Sequence, residues 1–90
     1  MTSKKPALFR IEFLAAASKQ LAGIAPVHRR RIADKIDTLI SNPRPSGAES
    51  VKGSNYLRIR IGDYRVIYEI EDDRLVVLVV RVGHRREIYR

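Results

Sequence analysis

The 90-residue chain has no cysteine and no tryptophan, and only two histidines. Without cysteine there is no disulfide framework, no thiolate metal ligand and no cysteine nucleophile. His28 and His84 lie too far apart to form a paired-ligand motif, so no metal and no cofactor is expected. Acidic residues are also few: 10 aspartates and glutamates face 18 lysines and arginines, a net charge of +8. No long apolar run is present. The longest uncharged one, Leu75 to Val80, falls far short of the ~20 residues a membrane span needs. Arg10 and Glu12 interrupt the apolar stretch behind Lys4 and Lys5, so a secretory signal is not expected. These absences point to a cytoplasmic chain with no membrane partner. They exclude much metal- and thiol-dependent enzymology.

The positive excess favours an anionic partner, nucleic acid before any other. The length suits a single domain, residues 1–90, with a thin core that buries about 60% of the unfolded surface. Met1 to Pro6 is a polar lead-in expected to be mobile. In Ala7 to Phe13, Phe9, Ile11 and Phe13 alternate with Arg10 and Glu12, the pattern of a half-buried strand. An alanine-rich helix over 14–21 stops near Gly23. A second helix begins at Pro26, suited to a first helical turn, and runs to about Ser41. Its Ile32, Ile36, Leu39 and Ile40 form one buried stripe. Asn42 to Gly47 is a loop. Two alternating runs, 57–61 and 64–71, joined by Gly62-Asp63, read as a hairpin. A two-residue turn at Asp72-Asp73 leads into a last strand over Leu75–Val80. The order β-α-α-β-β-β predicts an α+β fold, with a helical pair on one face of a mainly antiparallel four-stranded sheet.

The hairpin has a consequence for charge. A two-residue loop at Gly62-Asp63 sets Ile61 opposite Tyr64, Arg60 opposite Arg65, Ile59 opposite Val66 and Arg58 opposite Ile67. Opposed residues share a face. Leu57, Ile59, Ile61, Tyr64, Val66, Tyr68 and Ile70 therefore line the core side, and Arg58, Arg60 and Arg65 line the other. Like charges directly opposed cost about 0.2–1 kcal/mol per pair, so folding alone does not select Arg60 facing Arg65. A solvated basic face relieved by Glu69 and Glu71 is the plainer reading. Three clustered arginines in so basic a chain favour an anion site, and guanidinium groups bind phosphate oxygens bidentately.

The last ten residues add Arg81, Arg85, Arg86 and Arg90, with His84 and Tyr89. A tyrosine stacks on bases, and a histidine moves protons near neutral pH. With a two-residue turn at Asp72-Asp73, Arg81 lies on the helix side, and a one-residue register change moves it to the arginine face. Lys52 is either a further phosphate contact or a loop lysine. The run His28-Arg29-Arg30-Arg31 opens a helix against its macrodipole. It reads as a solvated face, with a secondary nucleic-acid contact as the alternative.

Tyr56-Leu57-Arg58-Ile59-Arg60-Ile61-Gly62-Asp63-Tyr64-Arg65-Val66-Ile67-Tyr68, Arg81-Val82-Gly83-His84-Arg85, Lys52-Gly53 and the closing Ile88-Tyr89-Arg90 together resemble the RelE toxins of the RelE/ParE toxin–antitoxin superfamily. The resemblance covers nearly the whole chain. It implies a small toxin that enters the ribosomal A site and cleaves messenger RNA without a metal. It also implies a cognate antitoxin that wraps the toxin, and operator DNA bound only by the toxin–antitoxin complex. Carried over by position, the family's active-site basic pair matches Arg58 and Arg60, and its strand arginine Arg65. Its arginine after Val-Gly matches Arg85 and its C-terminal tyrosine Tyr89. The well-studied pattern has lysines at the first two positions, whereas arginine is a poor proton acceptor. The base is then His84, Tyr89 or the ribosome, or else catalysis is mostly positioning and electrostatics. Two alternatives from other classes stand beside this: a ParE-like inhibitor of DNA gyrase, and a non-catalytic module that binds RNA or antitoxin. An amphipathic antitoxin segment is expected to cover Val76, Leu78 and Val80 together with the arginines.

Overall fold

The computed structural model describes residues 8–84. Strand β1 (Arg10–Phe13) leads into helices α1 (Ala15–Ala22) and α2 (Pro26–Asp37). Strands β2 (Glu49–Ser50), β3 (Tyr56–Ile61), β4 (Tyr64–Glu71) and β5 (Val76–His84) follow. The class is α+β as expected, but the sheet has five strands rather than four, in the order β1-β5-β4-β3-β2. The addition is β2, two residues paired with Leu57 and Arg58 of β3. A two-residue strand has no periodicity to read, which is why the sequence pattern passes over it. β1 pairs with β5 in parallel and every other pairing is antiparallel.

The hairpin register is the predicted one: Ile61 opposite Tyr64, Arg60 opposite Arg65, Ile59 opposite Val66 and Arg58 opposite Ile67. Gly62 alone of the two loop residues has positive φ (59°), the type II′ pattern that requires glycine at the first central position. The next connection differs from expectation. Asp72–Arg74 form a 3-10 turn, and Leu75 takes a left-handed conformation (φ 53°). Glu71 then pairs with Val76, so four residues make the turn and Leu75 lies outside β5. A break in register between Ile67 and Tyr68, paired with Arg81 and Val79, leaves Val80 as an extra residue. This β-bulge exchanges the faces of everything beyond it. Arg81 is thereby moved to the row of Ile67 and Arg58, correcting the helix-side placement that a two-residue turn implies.

The core lies between the helices and one sheet face. Ala17 of α1 and Ile32 and Ile36 of α2 meet Ile59, Val66, Tyr68, Val77, Val79 and Val82. α2 ends at Asp37 rather than near Ser41; a 3-10 turn over Thr38–Ile40 follows and buries Leu39. Phe9 is buried as its alternation implies, whereas Phe13, at the end of the edge strand β1, is 37% exposed. Tyr68 is fully buried, and its hydroxyl donates to the Pro43 carbonyl at 2.7 Å, tying the 42–47 loop to the sheet. Arg44 in that loop makes a two-pronged contact with Asp72 at 2.8 and 3.3 Å. The Arg44 guanidinium holds the Asp72 carboxyl below the usual carboxylate range by hydrogen bonding to it.

Two side chains satisfy backbone groups that the elements leave open. β1 ends opposite Val79, and beyond it Gln20 of α1 accepts the Val82 amide proton at 2.8 Å. Arg29 reaches back from α2 to the Ala22 carbonyl at 3.1 Å, at the C-terminal end of α1. A cation there is favoured by the helix dipole, which offsets part of the cost of placing arginines at the start of α2.

Candidate nucleic-acid interface

The sheet face away from the helices is segregated by charge. Its rows follow from the strand pairings. At one end Arg10, Val76 and Glu71 form a row, and Glu12, Leu78, Glu69 and Tyr56 form the next. Beyond the bulge come Arg81, Ile67, Arg58 and Glu49, and then Gly83, Arg65 and Arg60. Carboxylates dominate the first half and guanidinium groups the second. Arg10 pairs with Glu12 at 2.9 Å, and Arg74 is ion-paired with Glu71, so the acidic end carries its own compensating cations. The bulge is the device that brings Arg81 into the basic half.

Within the basic half the arginines are held differently. Arg65 is only 4% exposed, between Arg60 on β3 and Gly83 on β5, and the glycine adds no side chain to that row. Arg60 is exposed. Arg58 is largely covered and donates to the Glu49 carboxylate at 2.9 Å. That hydrogen bond holds the Glu49 carboxyl below its ordinary range, with the charges of Arg58, Arg60 and Arg65 adding to it. Glu49 is the residue sequence reasoning missed. No pattern marks it, because only the β2–β3 pairing sets it opposite Arg58.

The structure thus brings together Arg58, Arg60, Arg65 and Arg81. Lys52 is exposed in the loop between β2 and β3, which turns through Gly53 at φ 76°. His84 does not join them. It is opposite Tyr64 on the helix side of the sheet, in edge contact with that ring at 5.6 Å between centroids. Arg85, Arg86, Tyr89 and Arg90, like the Met1–Pro6 lead-in, lie outside the described residues. Of the apolar residues expected under a partner, Val76 is completely buried within this chain, while Leu78 and Val80 are half-buried. Among the described residues no helix is long and apolar enough to cross a membrane.

Comparison with known proteins bears on the family and the fold. Residues 11–89 match the sequence model of the ParE toxin of type II toxin–antitoxin systems (parDE). A Methanocaldococcus jannaschii chain classed as a RelE1 toxin is 28% identical over 86 residues, covering 91% of this chain and 96% of its own length. The toxin in the RelB–RelE antitoxin–toxin complex from Methanococcus jannaschii is 30% identical, with a TM-score of 0.68, over 87% of this chain and 94% of that one. In the RelBE2 toxin–antitoxin complex from Mycobacterium tuberculosis the TM-score is 0.79 at 21% identity, over 91% and 97% of the two chains. This last likeness is one of fold.

Proposed function

The chain belongs to the RelE/ParE toxins of type II toxin–antitoxin systems, and from that premise we propose that it is a ribosome-dependent endoribonuclease that cuts messenger RNA in the A site and stops translation. The observation that carries this reading is the basic half of the outer sheet face. There Arg65 is shut away from water opposite the exposed Arg60, with Arg58 and Arg81 in the adjoining row.

The chemistry follows from what arginine does. RNA cleavage by its own 2′-hydroxyl forms a bond from the 2′-oxygen to phosphorus as the bond to the 5′-oxygen breaks. The 2′ proton goes to a base, and the departing oxygen takes one from an acid. Arg60 and Arg85 clamp the phosphate, the buried Arg65 adds its positive charge from beneath them, and together they take up the charge that builds on pentacoordinate phosphorus. Arg58 shares that role, and Lys52, Arg81, Arg86 and Arg90 hold flanking phosphates. Tyr89 stacks on or orients a nucleotide. Guanidinium groups stay protonated, with a pKa above ~12, and accept no proton. His84 is on the other side of β5 from Arg65, and Glu49 is weakened as a base by Arg58. The protein's share of catalysis is accordingly charge stabilisation and positioning of the RNA, with proton transfer at Tyr89 or ribosomal groups.

The partner off the ribosome is a cognate antitoxin, as in the RelB complexes of the structural relatives. An acidic, amphipathic segment fits the arginines together with the half-buried Leu78 and Val80. Operator DNA is bound only by that complex. Primer extension on a message under translation in the cytoplasm tests the activity, with cuts expected in register with codons. Arg65→Ala or Arg85→Ala relieves growth arrest and leaves antitoxin binding largely intact; full arrest by both variants refutes the site. The match to the ParE model supports a second reading, inhibition of DNA gyrase. Intact message with accumulating cleaved supercoiled DNA would establish that reading instead.

A further inference from the structure

The helix side of the sheet carries a second constellation that the arginine face does not use. Tyr64, at the start of β4, lies between two imidazoles. Its ring is 5.4 Å from that of His28, tilted at 40°, and 5.6 Å from that of His84, edge-on at 79°. Two cavities adjoin at Tyr64 and His84. The first, of about 290 Å³, is bordered by His28, Arg31 and the Gly62-Asp63 turn. The second, of about 510 Å³, runs past Lys19 and Arg81 along the part of β5 that extends beyond β1. The first is near the lower end of the roughly 300–1,000 Å³ usual for ligand pockets. The three rings lie at the margin of the core: Tyr64 packs against the buried cluster, and His28 and His84 are half-buried.

We infer that this cleft, where α2 begins beside the β3–β4 turn, is a second binding site for single-stranded RNA, in which His28, Tyr64 and His84 stack a base and Arg31 and Lys19 hold the adjoining phosphates. Aromatic faces interleaved with cations along a groove are what single strands require, because every base has a face and every linkage a charge. Among the described residues Asp63 is the sole carboxylate bordering the two cavities, so the cationic character prevails. The run His28-Arg29-Arg30-Arg31 thereby divides its labour: Arg29 caps α1, while His28 and Arg31 face the cleft. Arg81 borders this cleft and also shares the row of Arg58. A strand crossing the end of β5 can thus touch both faces.

The inference rests on the reading of the chain as a toxin that acts on RNA, but its test reads binding rather than cleavage. The two histidines are the only ones in the chain, so their imidazole proton NMR signals report on the cleft directly. Titration of an Arg60→Gln/Arg65→Ala chain with a short single-stranded RNA is expected to move both signals. His28→Leu and Arg31→Gln, each checked for an unchanged circular dichroism spectrum, are expected to weaken that RNA by about fivefold or more. Stationary signals overturn the inference, as do equal responses to duplex RNA or to an acidic peptide. Signals that move in this chain while the unsubstituted chain leaves translated message uncut refute the nuclease reading and leave the cleft standing.

Discussion

Replacing Tyr68 with phenylalanine tests how the 42–47 loop is held to the sheet. The ring is fully buried, and its hydroxyl is 2.7 Å from the Pro43 carbonyl it donates to. Tyr68→Phe keeps the ring and removes the donor, at a cost of about 1 kcal/mol. In a domain of this size that lowers Tm by about 4–8 °C near neutral pH. The pH dependence is the sharper test. Burial pushes the Tyr68 phenol up to about 12, against the smaller opposing charge of Arg44. The fold therefore holds the neutral phenol. Its contribution is complete below the unfolded value of about 10, and it is lost between there and about 12, as the unfolded chain ionises first. At about 1.4 kcal/mol per pH unit, the loss approaches 2–3 kcal/mol. The Tyr68→Phe chain lacks this loss. Its Tm, followed by circular dichroism, starts below that of the parent, and the two curves converge and cross as pH rises above about 10. A phenol ionising late in ultraviolet difference absorbance disappears with the substitution. A gap in Tm that stays constant with pH would refute the reasoning.

Arg60→Gln removes the like-charge pair with Arg65, raising stability by about 0.2–1 kcal/mol while abolishing message cleavage; a lower Tm contradicts the placement. Glu49→Gln takes away the carboxylate that competes for Arg58, so affinity for single-stranded RNA rises several-fold in fluorescence anisotropy. Because Arg58 holds that carboxylate ionised below its ordinary range, acidification of the parent chain produces the same gain only below the usual carboxylate pKa. Gln20→Leu leaves the Val82 amide without its acceptor, costing about 1 kcal/mol, and hydrogen exchange at Val82 accelerates by about fivefold; unchanged exchange shows that the contact does not protect β5.

What the sequence by itself determined is local. Alternation with a two-residue Gly-Asp turn sets the β3–β4 register, because a tight turn leaves the strands one pairing and side-chain parity does the rest. That alone put Arg58, Arg60 and Arg65 on one face. The α2 stripe of Ile32 and Ile36 was legible for the same reason, a fixed period on one element, and Leu39 is buried on the 3-10 turn that follows. Tertiary structure decided whatever depends on residues distant in the chain. The bulge at Val80 is invisible in an unbroken apolar run, yet it moves Arg81 across the sheet. β2 is too short for a pattern, so Glu49 became a partner of Arg58 only through pairing. The parallel β1–β5 contact ends opposite Val79 and gives Gln20 an amide to satisfy. His84 shows the same limit from the other side. Its imidazole made it a candidate base beside the arginines, but the pairing with Tyr64 took it to the helix side.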